Sequence, residues 1–239
     1  MRCASLTRRS PLTRASLVVM ARWPAPGRCK GRLARDLGID RAAAIQSRMT
    51  MHTLTVAQAL AGKGLVDLQL AVSGLAPKAA RRWGSQLGIA AVEVAMQGRG
   101  SLGCRLRRQL LRVQQQTQQR GPHKGQRLSW QPRAANRCSI VIGTDLPGLC
   151  LRDLLEALER LQTHELVLGP ASDGGYWLIG LSGDLLKPVA TWPFAGIPWG
   201  TNQVISATLE QARRNDVAPA LLRQQNDIDK IEDLRYWQG

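Results

Sequence analysis

The sequence predicts an α/β protein in which a mostly parallel central sheet is flanked by helices. Short β-branched runs alternate with longer segments whose apolar residues recur at helical spacing, an order typical of parallel strands joined by right-handed helical crossovers. The clearest strand, Ser139–Ile142, is rich in β-branched residues and is typical of a strand buried on both faces. The 239 residues suffice for a sizeable core. We expect one domain over 17–239, preceded by a basic tail at 1–16.

The other elements follow from periodicity and from turn residues. Pro24 and Pro26 should end the first strand, and a basic turn at Arg28–Leu33 should open a helix. The sequence Asp173-Gly174-Gly175 lies between two apolar runs and predicts a hairpin or tight turn. Strands are predicted at Leu17–Arg22, Val66–Ser73, Ile89–Met96, Ser139–Ile142 and Glu165–Gly169, and helices at Arg41–Ala61, Pro77–Leu87, Leu151–Gln162 and after a cap at Thr201 or Asn202.

The segment at 114–137 interrupts this pattern. It contains a glutamine run, a Gly-Pro pair and several basic residues, but no acidic residue. Such a composition buries too little apolar surface to offset the entropy lost on ordering. We expect a flexible surface insertion there.

The formal charge of +16 is divided unequally along the chain. Residues 1–137 contain 25 Lys/Arg and 4 Asp/Glu, whereas residues 138–239 contain 8 Lys/Arg and 13 Asp/Glu. The basic part favours a phosphorylated or polyanionic partner, and the acidic part supplies carboxylates that could bind a cation.

The cysteines and the hydropathy pattern exclude several classes of protein. The five cysteines form no C-x-x-C pair, which argues against a disulfide framework or a zinc ribbon and favours a reducing compartment. No apolar run approaches the roughly 18 residues of a membrane span. We therefore expect a cytoplasmic protein without a membrane span.

Asp145 is the first candidate for a functional side chain. It follows the strand Ser139–Ile142, and open α/β sheets bind ligands beyond the carboxyl ends of their strands. Its carboxylate could hold a cation or a substrate hydroxyl. A helix cap is the alternative role, although the helix that begins near Leu151 should be capped nearer Cys150.

A basic loop after the first strand is the second candidate. Arg28, Lys30 and Arg32 follow Gly27, and a strand, a Pro/Gly turn and a basic helix start together suit a phosphate group. The loop matches neither a P-loop nor a dinucleotide-binding glycine motif. A solvated basic loop is the alternative.

A glycine-rich turn at Gln97–Gly103 could let a ligand approach the main chain closely. Gly98 and Gly100 provide the conformational freedom for such an approach. We expect them to border a nucleotide, as Gly27 would in the basic loop.

Residues of the predicted hairpin could bind a sugar or an acceptor. Gly174 and Gly175 leave room for a sugar-sized ligand, and Asp173 and Tyr176 offer partners for its hydroxyl groups. Asp173 could also be simply a turn residue. Trp199, further along the chain, is either a core residue or a stacking wall.

Two carboxylates near the end of the chain could complete a cation site. In an extended segment Asp227 and Asp229 share a face, and they could join Asp145 around a hard divalent ion. Alternatively, Asp229 could cap a helix at Ile231–Trp237.

Six stretches of the chain resemble, in order, the motifs of one protein family. These are Ala21–Leu33, Gln97–Gly103, Gly143–Leu149, Gly169–Tyr176, Ile197–Thr201 and Asp227–Leu234. The family is bacterial, consists of predicted glycosyltransferases with the nucleotide-diphospho-sugar transferase (GT-A-like) fold, and has one branch associated with arsenosugar biosynthesis. The resemblance extends from about Leu17 to Trp237.

The resemblance implies a single Rossmann-like domain and nucleotide-sugar chemistry. In related nucleotidyltransferases an early basic loop binds the nucleotide phosphates, which would fall on Arg22, Lys30 and Arg32. The aspartate that ends the central strand and a late carboxylate hold a metal, which would place Mg²⁺ or Mn²⁺ on Asp145 and Asp229.

The chain departs from the family pattern at two positions. Gly31 replaces the usual Thr, which removes a hydroxyl near the phosphates. Ser101 replaces the usual Asp, which removes a carboxylate near the base or ribose.

Three functional hypotheses follow. The leading one is a metal-dependent glycosyltransferase with a nucleotide-sugar donor, a small-molecule acceptor, and Asp145 and Asp173 as candidate catalytic residues. An alternative is a nucleotidyltransferase that joins a nucleoside triphosphate to a phosphorylated metabolite. A basic nucleic-acid-binding protein with a decayed site is the third, but in the basic insertion Trp130 is the only aromatic residue available for stacking on bases.

Overall fold

The computed structural model describes residues 14–88, 92–119 and 138–237. Two short 3₁₀ helices, Gly183–Leu185 and Ile231–Tyr236, accompany the regular elements. In chain order these are β1 (Ala15–Arg22), α1 (Gly31–Leu37), α2 (Ile39–Gly62), β2 (Val66–Ser73), α3 (Pro77–Gln86), β3 (Glu93–Met96), α4 (Leu102–Gln119), β4 (Ser139–Ile142), α5 (Leu151–Arg160), β5 (Leu166–Pro170), β6 (Tyr176–Leu181), α6 (Val204–Arg214) and β7 (Ala220–Leu221).

Within the described residues, seven strands form one sheet in the order β3-β2-β1-β4-β6-β5-β7. The first four of these are parallel, β6 runs antiparallel to β4 and β5, and β7 is parallel to β5. The predicted α/β class with a mostly parallel sheet is confirmed. The hairpin predicted at Asp173-Gly174-Gly175 is confirmed too, since it joins β5 to β6.

The sheet is covered on both faces, which explains why its central strands are apolar throughout. On one face Leu17 and Val19 of β1 join a core with Leu54 of α2 and with α5. On the other face Val18 joins a second core with Leu110 of α4 and with α6. The alternation along β1 is the period of two expected for a strand.

A third, smaller core brings the end of the chain to the carboxyl edge of the sheet. Leu33 of α1, Met49 of α2 and Ile228 are buried together. The Ile228 N–H donates to the main-chain oxygen of Asp145 at 3.0 Å. The segment around Ile228 is thereby held beside the loop that follows β4.

Three predicted boundaries need correction. β1 starts at Ala15, so the basic tail ends before that residue, and residues 1–13 lie outside the described part. The third strand covers only Glu93–Met96, because residue 92 is not in a strand and 89–91 are not described. Helix α4 continues to Gln119, so 114–119 are helical, and the rest of the predicted insertion, 120–137, lies outside the described residues.

Two predicted helix caps were also wrong. α6 starts at Val204 with Gln203 as its cap, because the Thr201 hydroxyl serves the preceding turn by donating to the Pro198 carbonyl. Asp229 does not cap the last helix. Its own N–H, like that of Lys230, donates to the Asp233 carboxylate.

No helix of the described residues is long and apolar enough to cross a membrane.

Candidate active site at the carboxyl edge of the sheet

A cavity of about 450 Å³ opens where the parallel strands end. Arg22 at the end of β1, Ser73 at the end of β2 and Gln97 just after β3 line one side of it. Tyr176 lines it as well, because β6 is antiparallel and therefore begins at the edge where β4 ends. This edge is where open α/β sheets bind their ligands.

Lys30 is the most constrained residue of the site. It has left-handed backbone angles, φ 47° and ψ 50°, at the position before α1, a conformation that costs a non-glycine residue free energy. Its side chain is only 6% exposed, and its Nζ lies 2.6 Å from Asp145 Oδ1. The same Nζ donates to the Ile228 carbonyl. One ammonium group therefore joins the loop after β1, the loop after β4 and the C-terminal segment.

A second ion pair lies at the rim. Arg32 Nη1 is 2.7 Å from Asp229 Oδ2, and both side chains are substantially exposed. Such pairs are screened by water and contribute little to stability. Each of the two predicted metal-binding carboxylates is thus paired with a predicted phosphate-binding cation.

Asp145 and Asp229 have the chemistry of a magnesium site completed by substrate. Both line the cavity and offer hard carboxylate oxygens. Across the described ranges no three Asp, Glu, His or Cys side chains converge as a metal cage. Mg²⁺ is commonly held by one or two carboxylates together with substrate phosphates and water. The residues therefore fit an ion that arrives with a phosphorylated substrate.

Asp227 and Asp173 add two further carboxylates to the cavity. Burial, together with the charges of Asp173 and Asp145, raises the pKa of Asp227 to about 6, although a main-chain hydrogen bond and Lys30 partly oppose the shift. Asp173 Oδ1 accepts a hydrogen bond from the Gly175 N–H at 2.8 Å, so this residue does shape the turn. Its position on the cavity leaves the remaining carboxylate oxygen available to a ligand.

Tyr176 and Trp199 form an aromatic wall. Their ring centroids are 5.8 Å apart at an interplanar angle of 81°. The Tyr176 hydroxyl is buried without a hydrogen-bond partner among the described residues, and burial raises its pKa. Gly103 of α4 supports the wall, since a Cβ there would lie 2.6 Å from Trp199 Nε1. Trp199 is therefore packed against α4 and also borders the cavity.

Two polar residues that the sequence analysis did not single out line the same cavity, Gln97 and Arg105. The buried Gln97 amide donates to the Ala21 and Ala71 carbonyls, each at 3.1 Å, and its oxygen accepts from Arg105 Nη1 at 3.3 Å. In the sequence Arg105 is one of many arginines. The only feature of the sequence that could have indicated Arg105 as a site residue is its position in the first turn of the helix that follows the glycine-rich turn.

The predicted site residues divide into two groups. The cavity is lined by Arg22, Lys30, Asp145, Asp173, Gly175, Tyr176, Trp199 and Asp229. Those outside its lining are Gly27, Arg32, Gly98, Gly100 and Gly174. Two of these glycines have packing roles: a Cβ at Gly98 would lie 2.5 Å from Arg108 Nη1, and one at Gly174 would lie 2.1 Å from the Asn202 carbonyl oxygen.

Solved structures share this architecture. The protein is similar to a "putative nucleotide-diphospho-sugar transferase" from Desulfovibrio desulfuricans G20, with 25% identity, coverage of 92% of this chain and 84% of that chain, and a TM-score of 0.71. It is also similar in fold to 4-diphosphocytidyl-2C-methyl-D-erythritol synthase from Anaerococcus prevotii DSM 20548, with 8% identity, 93% and 96% coverage and a TM-score of 0.52. Rv0371c from Mycobacterium tuberculosis H37Rv also has a similar fold, with 20% identity, coverage of 94% of this chain and 97% of that chain, and a TM-score of 0.50.

Residues 55–201 match the model of a family described as "Uncharacterized protein conserved in bacteria (DUF2064)". No curated protein matches the chain. The matched segment is more than half of the sequence and runs from α2 through the glycine-rich turn, the Asp145 loop and the β5–β6 hairpin to Thr201. The chain therefore belongs to the DUF2064 family and has the fold of nucleotide-diphospho-sugar transferases.

Proposed function

We propose that this protein is a glycosyltransferase that takes a sugar from a nucleotide-diphosphate donor and transfers it to a small-molecule acceptor. The observation that carries the proposal is the contact of Lys30 with Asp145 in the cavity at the carboxyl edge of the sheet. A buried ammonium group and a carboxylate placed together suit the diphosphate of such a donor and its accompanying cation. The similarity to the Desulfovibrio protein supports the same class of donor.

The nucleotide side of the site is assigned to the loop after β1. Arg22 and Lys30 line the cavity, and Arg32 lies at its rim. Their cationic groups would bind the diphosphate through charge-assisted hydrogen bonds. Gly27, Gly98 and Gly100 would shape the turns beside the nucleotide.

The carboxylates of Asp145 and Asp229 would hold Mg²⁺ or Mn²⁺. A divalent ion at this place would neutralise charge that develops on the leaving diphosphate. When the diphosphate binds, Lys30 can exchange its contact with Asp145 for one with a phosphate oxygen. Its contacts with Asp145 and with the Ile228 carbonyl keep the ammonium group beside the position proposed for the diphosphate.

The sugar and the acceptor are assigned to the β5–β6 hairpin. Asp173 has a carboxylate oxygen available to bind an acceptor hydroxyl and to take its proton as the oxygen attacks the anomeric carbon. The bond between that carbon and the diphosphate then breaks. Gly174 and Gly175 leave room beside the sugar, and Tyr176 and Trp199 would border it.

Product analysis tests this assignment. The protein is incubated with nucleotide sugars or nucleoside triphosphates, with a small-molecule cell extract as the source of acceptors and with Mg²⁺ or Mn²⁺, and the phosphate products are separated. We expect a nucleoside diphosphate to be released from a nucleotide sugar, and no release by Asp145→Asn. Release of pyrophosphate from a triphosphate would instead assign nucleotidyl transfer, and the absence of both products would reject the proposal.

A further inference from the structure

Arg105 lines the cavity without a counter-charge. It is half-buried in the first turn of α4, and it forms no ion pair with any carboxylate in the described part of the chain. Among the described residues, its side chain makes one hydrogen bond, from Nη1 to Gln97 Oε1, and its Nε is buried without a partner. Removing a guanidinium group from water is costly unless hydrogen bonds and opposite charge compensate it.

Gln97 holds one end of the Arg105 guanidinium group. Its Nε2 donates two hydrogen bonds to main-chain carbonyls, those of Ala21 in β1 and Ala71 in β2. Its oxygen must therefore point to Arg105, where it accepts from Nη1. The other edge of the guanidinium group, formed by Nε and Nη2, has no hydrogen bond among the described residues.

Three neighbouring arginines of α4 donate hydrogen bonds to main-chain carbonyls instead. Arg107 donates to the carbonyls of Val189 and Ala190, and Arg108 donates to that of Gln97. Arg112 donates to the Met96 carbonyl. These side chains tie α4 to the rest of the fold, and none of them lines the cavity.

Arg223, elsewhere in the chain, shows what an occupied Nε–Nη2 edge looks like. Its Nε and Nη2 donate to the two carboxylate oxygens of Asp153. This two-donor geometry matches a planar carboxylate or two oxygens of a phosphate. Arg105 lines the cavity, and no carboxylate of the described residues pairs with it in this way.

We infer that Arg105 binds an oxyanion of the substrate, with Gln97 as the residue that positions it. The inference deepens the proposed function and rests on it for the identity of the substrate. Arg22, Lys30 and Arg32 lie between the end of β1 and the start of α1, so Arg105 of α4 supplies a separate anion contact. The oxyanion is either a phosphate of the nucleotide or an anionic group of the acceptor.

Calorimetric titration with inorganic phosphate tests the inference without any nucleotide. Arg105→Gln should weaken phosphate binding about tenfold to a hundredfold, the range expected for one charge-assisted contact. Arg105→Lys should recover only part of it, because the charge remains but the two-donor edge is lost. Arg107→Gln is the matched control: it should lower the melting temperature and leave phosphate binding unchanged.

A second titration identifies the source of the oxyanion. Phosphate is titrated into wild type saturated with the nucleoside diphosphate that binds most tightly. Loss of the Arg105-dependent phosphate binding assigns Arg105 to the nucleotide, whereas its persistence assigns Arg105 to the acceptor. Both results support the inference. If wild type binds no phosphate, or if Arg105→Gln binds it as wild type does, Arg105 is not an anion-binding residue.

The proposed function and this inference can fail separately. Phosphate binding that depends on Arg105 in a protein that binds no nucleoside diphosphate would retain the oxyanion site and reject the nucleotide-sugar donor. If replacing Arg105 changes neither nucleotide binding nor phosphate binding, only the inference is rejected.

Discussion

Lys30 combines a buried charge, two polar contacts and an unfavourable backbone conformation in one residue. Its ammonium group is almost inaccessible to water and contacts both Asp145 and the Ile228 carbonyl, while its backbone takes the left-handed conformation. A strained, buried cation at a cavity is typical of a functional residue, because the surrounding structure must compensate the strain. Arg32 is its exposed counterpart, with a side chain 63% exposed and paired with Asp229. Substitutions at these two positions should therefore have unequal effects.

Lys30→Met should weaken binding of the preferred nucleoside diphosphate by about tenfold to a hundredfold, because one charge-assisted phosphate contact is lost. The fold should survive, since the Asp145 side chain is 48% exposed and water can replace its partner. Arg32→Ala should weaken binding less, because its charge is screened at the rim. Calorimetric titration with the diphosphate measures both, and the unphosphorylated nucleoside is the control. Equal losses for nucleoside and diphosphate would contradict a phosphate contact.

The effect of Gly31 on nucleotide binding can be tested by replacing it with Thr, the residue that the family pattern usually has at this position. A Cβ at this position would meet no atom within 4 Å, and its φ is not in the left-handed region. Thr is also a better helix former than Gly at the start of α1. We expect Gly31→Thr to keep or raise the melting temperature and to tighten nucleoside diphosphate binding through the added hydroxyl. Unchanged affinity in a well-folded variant would show that the missing hydroxyl is not a phosphate ligand.

Sequence alone could locate some of these residues but not others. Asp145 lies just beyond the carboxyl end of a predicted strand, so strand prediction and the rule for open α/β sheets suffice to place it at that edge. Arg105 and Gln97 could not be found this way. Their orientation depends on carbonyls of β1 and β2 that become neighbours only when the sheet forms. The left-handed conformation of Lys30 likewise has no signature in its residue type.

At the scale of elements, α5 shows how a helix start is connected to a distant segment. Asp153, in its first turn, accepts a hydrogen bond from the Cys150 N–H at 2.8 Å and is paired with Arg223, beyond β7. Burial alone would raise the pKa of Asp153, but the hydrogen bonds from Arg223 and Cys150 outweigh it and hold the pKa below its ordinary value. Arg223 also donates to the Gly148 carbonyl, so the same pair anchors the loop that begins at Asp145.

Asp153→Asn should lower the free energy of unfolding at pH 7 by about 1–3 kcal/mol, since it removes the charge from hydrogen bonds made by a buried carboxylate. The pH dependence has a definite sign. A carboxyl group whose pKa is depressed in the folded state stabilises the fold above its unfolded pKa of about 4 and loses that contribution as the pH falls through the folded pKa. Urea unfolding of wild type and variant from pH 7 down to acid should show the difference shrinking below about pH 4. A difference that stays constant over this range would exclude the ion pair as its cause.

Helix α4 illustrates where composition misleads. The glutamine run after Val113 was interpreted as the start of a flexible insertion, yet glutamine is a good helix former, and the helix continues to Gln119. Leu106, Leu110 and Val113 bury one side of α4 against the sheet. An amphipathic helix that is already anchored needs little further burial to extend by one or two turns. This extension could not be read from hydropathy, because the added turns are polar.

For the whole molecule, the parallel direction of β1 to β4 follows from the alternation of strands and helices. The position of β6 between β4 and β5 is harder to derive, because it depends on which side of the sheet the hairpin turns to. That placement matters for the site: it brings the start of β6, and with it Tyr176, to the edge where Asp145 lies. The short β7 then returns the chain so that the segment with Asp227 and Asp229 reaches the same edge.

The most direct test of the account is calorimetric titration of nucleoside diphosphates, with and without Mg²⁺ or Mn²⁺, into wild type and Asp145→Asn. The strand-end carboxylate should be needed for the metal-dependent part of binding, and its replacement by an amide keeps the size of the side chain. We predict that wild type binds at least one nucleoside diphosphate more tightly with metal than without, and that Asp145→Asn loses this gain, about tenfold or more, at an unchanged melting temperature. Metal-dependent binding by Asp145→Asn as tight as that of wild type would contradict the assignment of this cavity as the transfer site.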